Sequence, residues 1–166
     1  PDGAPLGLRM SHALRHYWSS RGLVVRGHEE AQIALRRPGA QVRDLWRCKV
    51  ESAAALQCAW MGRMAESAAH AAESLAIAEE IDDGERSSIA LRQLAAACLR
   101  MGDRLAARTH SERALAVARE IGNDVQVYDS IFGLATLHMN DDEFALAEPL
   151  FEEVLAMRTR LGHPYF

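Results

Sequence analysis

Lysine is almost missing from this chain. Lys49 is the only one, so Arg supplies 18 of the 19 Lys and Arg residues. Asp and Glu number 23, and the resulting net charge of −4 gives no general attraction to nucleic acid or to an anionic membrane. The three cysteines, Cys48, Cys58 and Cys98, are odd in number and form no close pair. That argues against a disulfide framework and against a cysteine-based zinc site, and it points to a reducing, cytoplasmic setting. No apolar run approaches the ~20 residues needed to span a bilayer; the stretch 52–62 comes nearest and Gln57 interrupts it. There is no phosphate-cradling Gly-rich loop, zinc-peptidase helix or Gly-x-Ser-x-Gly elbow, so neither catalysis nor a cofactor is expected. A start at Pro1, with no Met and no basic-then-apolar leader, reads as a piece of a longer protein.

Aromatics make up only 6% of the residues, while Ala occurs 29 times. Many Ala with few β-branched or aromatic residues favour close-packed helices, because Ala loses no side-chain entropy on entering a helix. An all-α fold follows.

The chain repeats itself every forty residues. Met61-Gly62 recurs as Met101-Gly102, and Ser74-Leu75 recurs as Ala114-Leu115 and Val154-Leu155. Stepping back gives Gly22 and Ala34-Leu35, so four copies hold one register without insertion. In the third copy Leu91, Leu94, Ala95, Cys98 and Leu99 have the three-and-four spacing of an amphipathic helix. Gly102 ends it in a left-handed turn and Asp103 caps the next helix. In the fourth copy Asp142 takes the place of the turn glycine, and Pro38-Gly39 closes the first copy early. The pattern predicts about eight antiparallel helices, over 5–20, 22–37, 42–61, 63–81, 84–101, 103–121, 125–140 and 143–161. The repeats are about 5–37, 42–81, 84–121 and 125–161 of one domain covering 1–166.

Three columns of small residues mark where helices would cross: Arg15/Ala55/Ala95/Ala135, Gly27/Ser67/Ala107/Ala147 and Ala34/Ser74/Ala114/Val154. Small side chains let backbones approach, while Leu94 and Leu115 fill the sides. One hairpin cannot bury its own stripe, so the hairpins must stack.

Leu94-Ala95, Gly102-Asp103, Ala107 and Ala114, and next Leu134-Ala135, Ala147, Phe151 and Leu155, give the chain a form that resembles the tetratricopeptide repeat. It departs from that pattern in a period of forty rather than thirty-four and in Arg15 at a small column. The ending Ala118-Arg119-Glu120-Ile121-Gly122-Asn123 is similar to repeats of bacterial signalling ATPases and transcriptional regulators. The resemblance implies a right-handed α-solenoid in which the first helix of each pair lines a concave groove. It also implies a non-catalytic protein- or peptide-binding scaffold, with a neighbouring ATPase domain of the same polypeptide as one candidate partner.

By helical phase that groove presents Lys49, Ser52, Leu56, Trp60, Arg92, Leu99, Arg100, Phe132 and Met139, together with Arg9, His12, His16, Ser19, Ala96, Asp129 and Thr136. Bases mixed with apolar anchors suit a peptide that carries an acidic group, because Arg pairs bidentately with carboxylates. Small-molecule sensing and self-association are the alternatives, and nucleic-acid binding ranks last. His12 and His16, four apart, share a helix face but lack a third metal ligand. His70 and His110 share a repeat position, which reads as repetition. Cys58 and Cys98 fall on an inner stripe as structural thiols. Glu79-Glu80, Asp82-Asp83 and the cluster 140–143 sit at helix boundaries, where carboxylates cap free N–H groups.

Overall fold

In a computed structural model, which describes residues 3–161, the chain is a ladder of helical hairpins with no strand among the described residues. Helix α1 (Ala4–Ser20) pairs with α2 (Val24–Arg36), α3 (Leu45–Trp60) with α4 (Met64–Glu80), α5 (Gly84–Met101) with α6 (Arg104–Glu120), and α7 (Asp124–Asn140) with α8 (Phe144–Leu161). The expected all-α solenoid of four forty-residue hairpins is what forms. Residues 1, 2 and 162–166, included in the expected domain, lie outside the described residues.

The same local chemistry is reused at nearly every turn. Gly22, Gly62 and Gly102 have φ of 70°, 77° and 87°, and Asp142 occupies the equivalent position with φ 57°. Each lets the chain fold back onto the last helical carbonyls: Arg63 N–H donates to Cys58 O at 2.9 Å, and Asp103 N–H to Cys98 O at 2.9 Å. A side chain then caps α5, α6 and α7, whereas α2 and α4, entered at Leu23 and Arg63, have no such cap. Asp103 accepts from Ala106 N–H at 3.0 Å, Asp83 from Arg86 N–H at 3.0 Å, and Asn123 from Val125 N–H at 3.1 Å. The exception follows α2. Pro38 forces Arg37 into extended backbone (φ −64°, ψ 138°), a 3-10 turn Pro38–Ala40 follows, and α3 begins at Leu45 instead of 42. Asp44 caps it, accepting from Trp46 and Arg47 N–H, both at 2.9 Å.

The small columns lie where helices cross. Ala55, Ser67, Ala107, Ala114 and Ala135 are buried. Ser67 Oγ donates to Ala55 O at 2.8 Å, a hydrogen bond from one small column to another that only closely approaching backbones permit. Gly27 is tighter still: a Cβ there would lie 2.8 Å from Trp18 Cβ. Arg15, the odd member of its column, is half-buried and turns its guanidinium to His12 O at 2.8 Å. Leu94 and Leu115 are buried in the clusters the columns frame.

Candidate functional site

The first helices form the closer row. Besides packing on its own partner, each of α1, α3 and α5 packs on the next first helix along, α3, α5 and α7 in turn, whereas no two second helices pack comparably. A ladder whose first helices stand together while its second helices are spread is curved, with α1, α3, α5 and α7 on the inner side. This is the face expected to carry the groove.

On that face the structure gathers two sets of side chains. Between α1 and α3, a cleft of about 260 Å³ is lined by Arg15, His16, Ser19, Leu56 and Trp60, among others. Between α5 and α7, a cleft of about 300 Å³ is lined by Arg92, Ala96, Leu99, Asp129, Phe132 and Thr136, with smaller contributions around them. Leu56, Trp60, Phe132 and Met139 are 41%, 53%, 49% and 44% exposed, so Trp60 does not disappear between copies.

The polar members have partners of their own. Arg92 pairs with Asp129 at 2.8 Å and donates to Gln126 Oε1 at 3.1 Å, while its buried Nε has no partner. Its fork is thus partly engaged by a carboxylate of the same face. Ser52 is buried and fastened to Gln93, its hydroxyl donating to Oε1 at 3.2 Å and its carbonyl accepting from Nε2 at 3.1 Å. That reciprocal pair ties α3 to α5 beneath the surface. Arg100 is exposed.

Helical phase did not single out Trp46, which organises the upper end of the face. Arg9 stands over its ring at 5.3 Å, Lys49 at 4.8 Å, and the His12 ring meets its edge with centroids 6.2 Å apart. His12 is half-buried and its Nδ1 is without a partner. Burial, aided by the positive charges of Arg15, Lys49 and Arg86, lowers its pKa from the ordinary 6.5 to about 4. His12 is therefore neutral at physiological pH, and it does not lie with His16 in any group of three potential ligands among the described residues. Trp46 was legible only as one aromatic in a chain poor in them, since its neighbours come from another helix.

This arrangement defines a class: a curved stack of helical hairpins with a mixed apolar and basic inner face. Residues 47–120, from the third residue of α3 through α6, match the tetratricopeptide repeat family, so this part of the chain carries tetratricopeptide repeats. The first and fourth copies, with Arg15 in a small column and Asp142 at the glycine position, lie outside that match. No curated protein matches the chain.

Solved structures resemble it closely in fold. BtubC (BKLC) from P. vanneervenii superposes with a TM-score of 0.82 at 16% identity, covering 96% of this chain and 66% of that one. A putative kinesin light chain from Podosopora anserina, with nearly identical TPR-like repeats, gives 0.76 at 19%, covering 95% and 79%. A Rap protein complexed with competence and sporulation factor gives 0.83 at 13%, covering 96% and 44%. The chain thus spans just under two thirds of the first and less than half of the third. No helix among the described residues is long and apolar enough to cross a membrane.

Proposed function

We propose that the chain is a non-catalytic scaffold that binds a protein or peptide along the inner face of α1, α3, α5 and α7. The observation that carries this reading is the exposure of Leu56, Trp60, Phe132 and Met139 on the row of helices that packs most closely. Large apolar side chains aligned on one concave face, with Arg92 and Arg100 among them, are the usual make-up of a contact surface. The similarity to a Rap protein that holds competence and sporulation factor supports it. We further propose that the domain is the regulatory or sensor region of a bacterial, cytoplasmic signal-transduction or transcription-regulating ATPase, supported by the forty-residue repeat form and by three buried free thiols.

Arg92 shapes the ligand preference. An acidic group entering the α5–α7 cleft must compete with Asp129 for its guanidinium. Asp129→Asn therefore strengthens binding of acidic peptides by several-fold, while Trp60→Ala, Phe132→Ala and Arg100→Ala weaken partner capture. A pull-down in which all three alanine variants hold the partner as the parent chain does would remove this face from consideration. A second reading, effector sensing, is favoured by the cleft volume of about 300 Å³, at the lower end of ligand-pocket sizes. A metabolite panel in thermal shift separates the two, since a ligand specific for the folded state raises its melting temperature.

A further inference from the structure

One crossing brings together potential metal ligands from three helices. His28 on α2, Cys58 on α3 and His70 on α4 each place a ligand atom within 4.8 Å of the other two. His28 and Cys58 are buried and His70 is 18% exposed at its side chain. Cys58 Sγ lies 3.7 Å from His28 Nδ1, and the two imidazoles meet edge to face with centroids 5.9 Å apart.

A buried carboxylate stands behind the cluster. Glu51, 4% exposed, holds His70 Nδ1 at 2.6 Å through one oxygen and Arg47 at 3.2 Å through the other. Gln32 Nε2 lies 2.8 Å from His70 Nε2. An amide nitrogen only donates, so Nε2 carries the lone pair and Nδ1 the proton that goes to Glu51. A carboxylate that takes the proton of one imidazole nitrogen and leaves the lone pair on the other is the outer shell of metal-bound imidazoles; here that lone pair meets the Gln32 amide, which a metal would displace.

The register sharpens the point. Forty residues on, the positions of His28, Cys58 and His70 hold Ala68, Cys98 and His110, and eighty on they hold Arg108, His138 and Leu150. Glu51 stands where the later copies bury Leu91 and Ile131 completely. Burying a carboxylate at a position built for an aliphatic side chain is costly unless something uses it. Among the described residues, only the first crossing combines the three ligands with the carboxylate.

We propose that His28, Cys58 and His70, supported by Glu51, bind a thiophilic divalent cation, with zinc the best match, and that the ion cross-links the first two hairpins. Two imidazoles, one thiolate and a fourth position open to water or to Gln32 form a ligand set that selects zinc-like ions over magnesium or calcium. Tetrahedral zinc sets its ligand atoms about 3.5 Å apart, so the cluster closes by up to roughly 1 Å through side-chain rotation. Binding replaces the Cys58 thiol proton with the metal and releases that proton to solvent, while both imidazoles ligate neutral. Burial raises the thiol pKa and lowers that of His28, so the empty site rests as thiol and neutral imidazole. This site is separate from the inner-face clefts, and its fate does not depend on the peptide-binding reading.

Cobalt(II) titration of the untagged, freshly reduced chain tests it. The expected result is one equivalent bound, with the visible absorption of tetrahedral cobalt and a thiolate-to-cobalt charge-transfer band, both abolished by added zinc. Cys58→Ser removes the charge-transfer band and Cys98→Ser retains it; Glu51→Gln keeps the band but weakens affinity by about 10–100-fold. If Cys58→Ser does not fold, His70→Gln at its partly exposed site decides instead, through at least a tenfold loss of affinity. No charge-transfer band in the parent chain, a band that survives Cys58→Ser, or unchanged affinity in His70→Gln overturns the proposal.

Discussion

Two glycines inside helices predict opposite results for the same substitution. Gly27 lies in α2 where it crosses α1, and an added Cβ would stand 2.8 Å from Trp18 Cβ, 3.0 Å from Trp18 Cγ and 2.8 Å from Gln57 Nε2. Carbon atoms prefer about 3.5–4.0 Å. Trp18 Cβ is anchored to the α1 backbone, so relief requires the helices to separate by several tenths of an ångström. Overpacking of this kind costs about 2–3 kcal/mol, from which ~1 kcal/mol is recovered because Ala is the better helix former. Gly27→Ala is therefore destabilising by about 1–2 kcal/mol. Gly133 lies in α7 with no atom near its missing Cβ, so Gly133→Ala gains only the propensity, ~1 kcal/mol of stabilisation. In a chain of this size the difference between the two separates their melting temperatures by about 5–10 °C, measured by far-ultraviolet circular dichroism. The register adds a coupling. Trp18 and Gly27 stand where the second copy has Cys58 and Ser67, so Gly27→Ala costs less in a Trp18→Cys background. Equal shifts for the two alanine variants, or additivity in the Trp18 background, would refute close approach as the reason for the small columns.

Leu115→Ala empties a buried position against Tyr128, Ile131 and their neighbours and costs about 2–5 kcal/mol, read from the urea midpoint; a cost under 1 kcal/mol would show that the stack does not bury it. Asp142→Gly relieves a left-handed residue at φ 57° and stabilises by roughly 0.5–1 kcal/mol in thermal melts, whereas Gly102→Ala, at φ 87°, destabilises by a similar amount. His12 imposes a pH dependence. Its folded pKa, lowered to about 4 chiefly by burial, lies below the unfolded 6.5, so only the unfolded chain takes up this proton between those values. Its contribution is present above pH 6.5 and is lost as pH falls towards 4, by roughly 1–2 kcal/mol once solvent screening at this half-buried site is allowed for. His12→Gln flattens the stability profile between pH 6.5 and 4; an unchanged slope would place the imidazole in water.

The elements were legible because their causes are local. A left-handed residue and a capping carboxylate sit within three positions of one another, so Gly102-Asp103 announces the end of α5 and the start of α6. The same rule finds Asp142, where glycine is absent. The boundary after α2 was harder to place, because the expected start of α3 at 42 falls inside the turn that Pro38 imposes and Asp44 ends. The inner face could be traced by helical phase, but the states of its side chains could not. Arg92 is chosen by period, yet Asp129, which engages it, stands 37 positions away and depends on how far α5 and α7 are staggered. Ser52 has a groove phase as well, but its hydroxyl is taken by Gln93 of the next hairpin.

The histidine–cysteine cluster shows why a repeat conceals chemistry and also how it can betray it. His70 and His110 share a column, and so do Cys58 and Cys98; read down the columns, both pairs are repetition. Their surroundings separate them. His70 meets Glu51, Gln32 and Cys58 because the residues entering from α2 and α3 have changed, whereas at the next crossing Ala68 and Leu91 replace His28 and Glu51. A period predicts what each position needs for packing, so Glu51, where the next two copies bury Leu91 and Ile131, is a departure that packing does not explain. Two such departures, His28 for Ala68 and Glu51 for Leu91, meet Cys58 and His70 at one crossing, where the ligand atoms of His28, Cys58 and His70 lie within 4.8 Å of one another, and a shared ligand explains this better than separate accidents. In an array of this kind, the positions that break the repeat in the core are therefore the ones to bring together in space before function is sought on the surface.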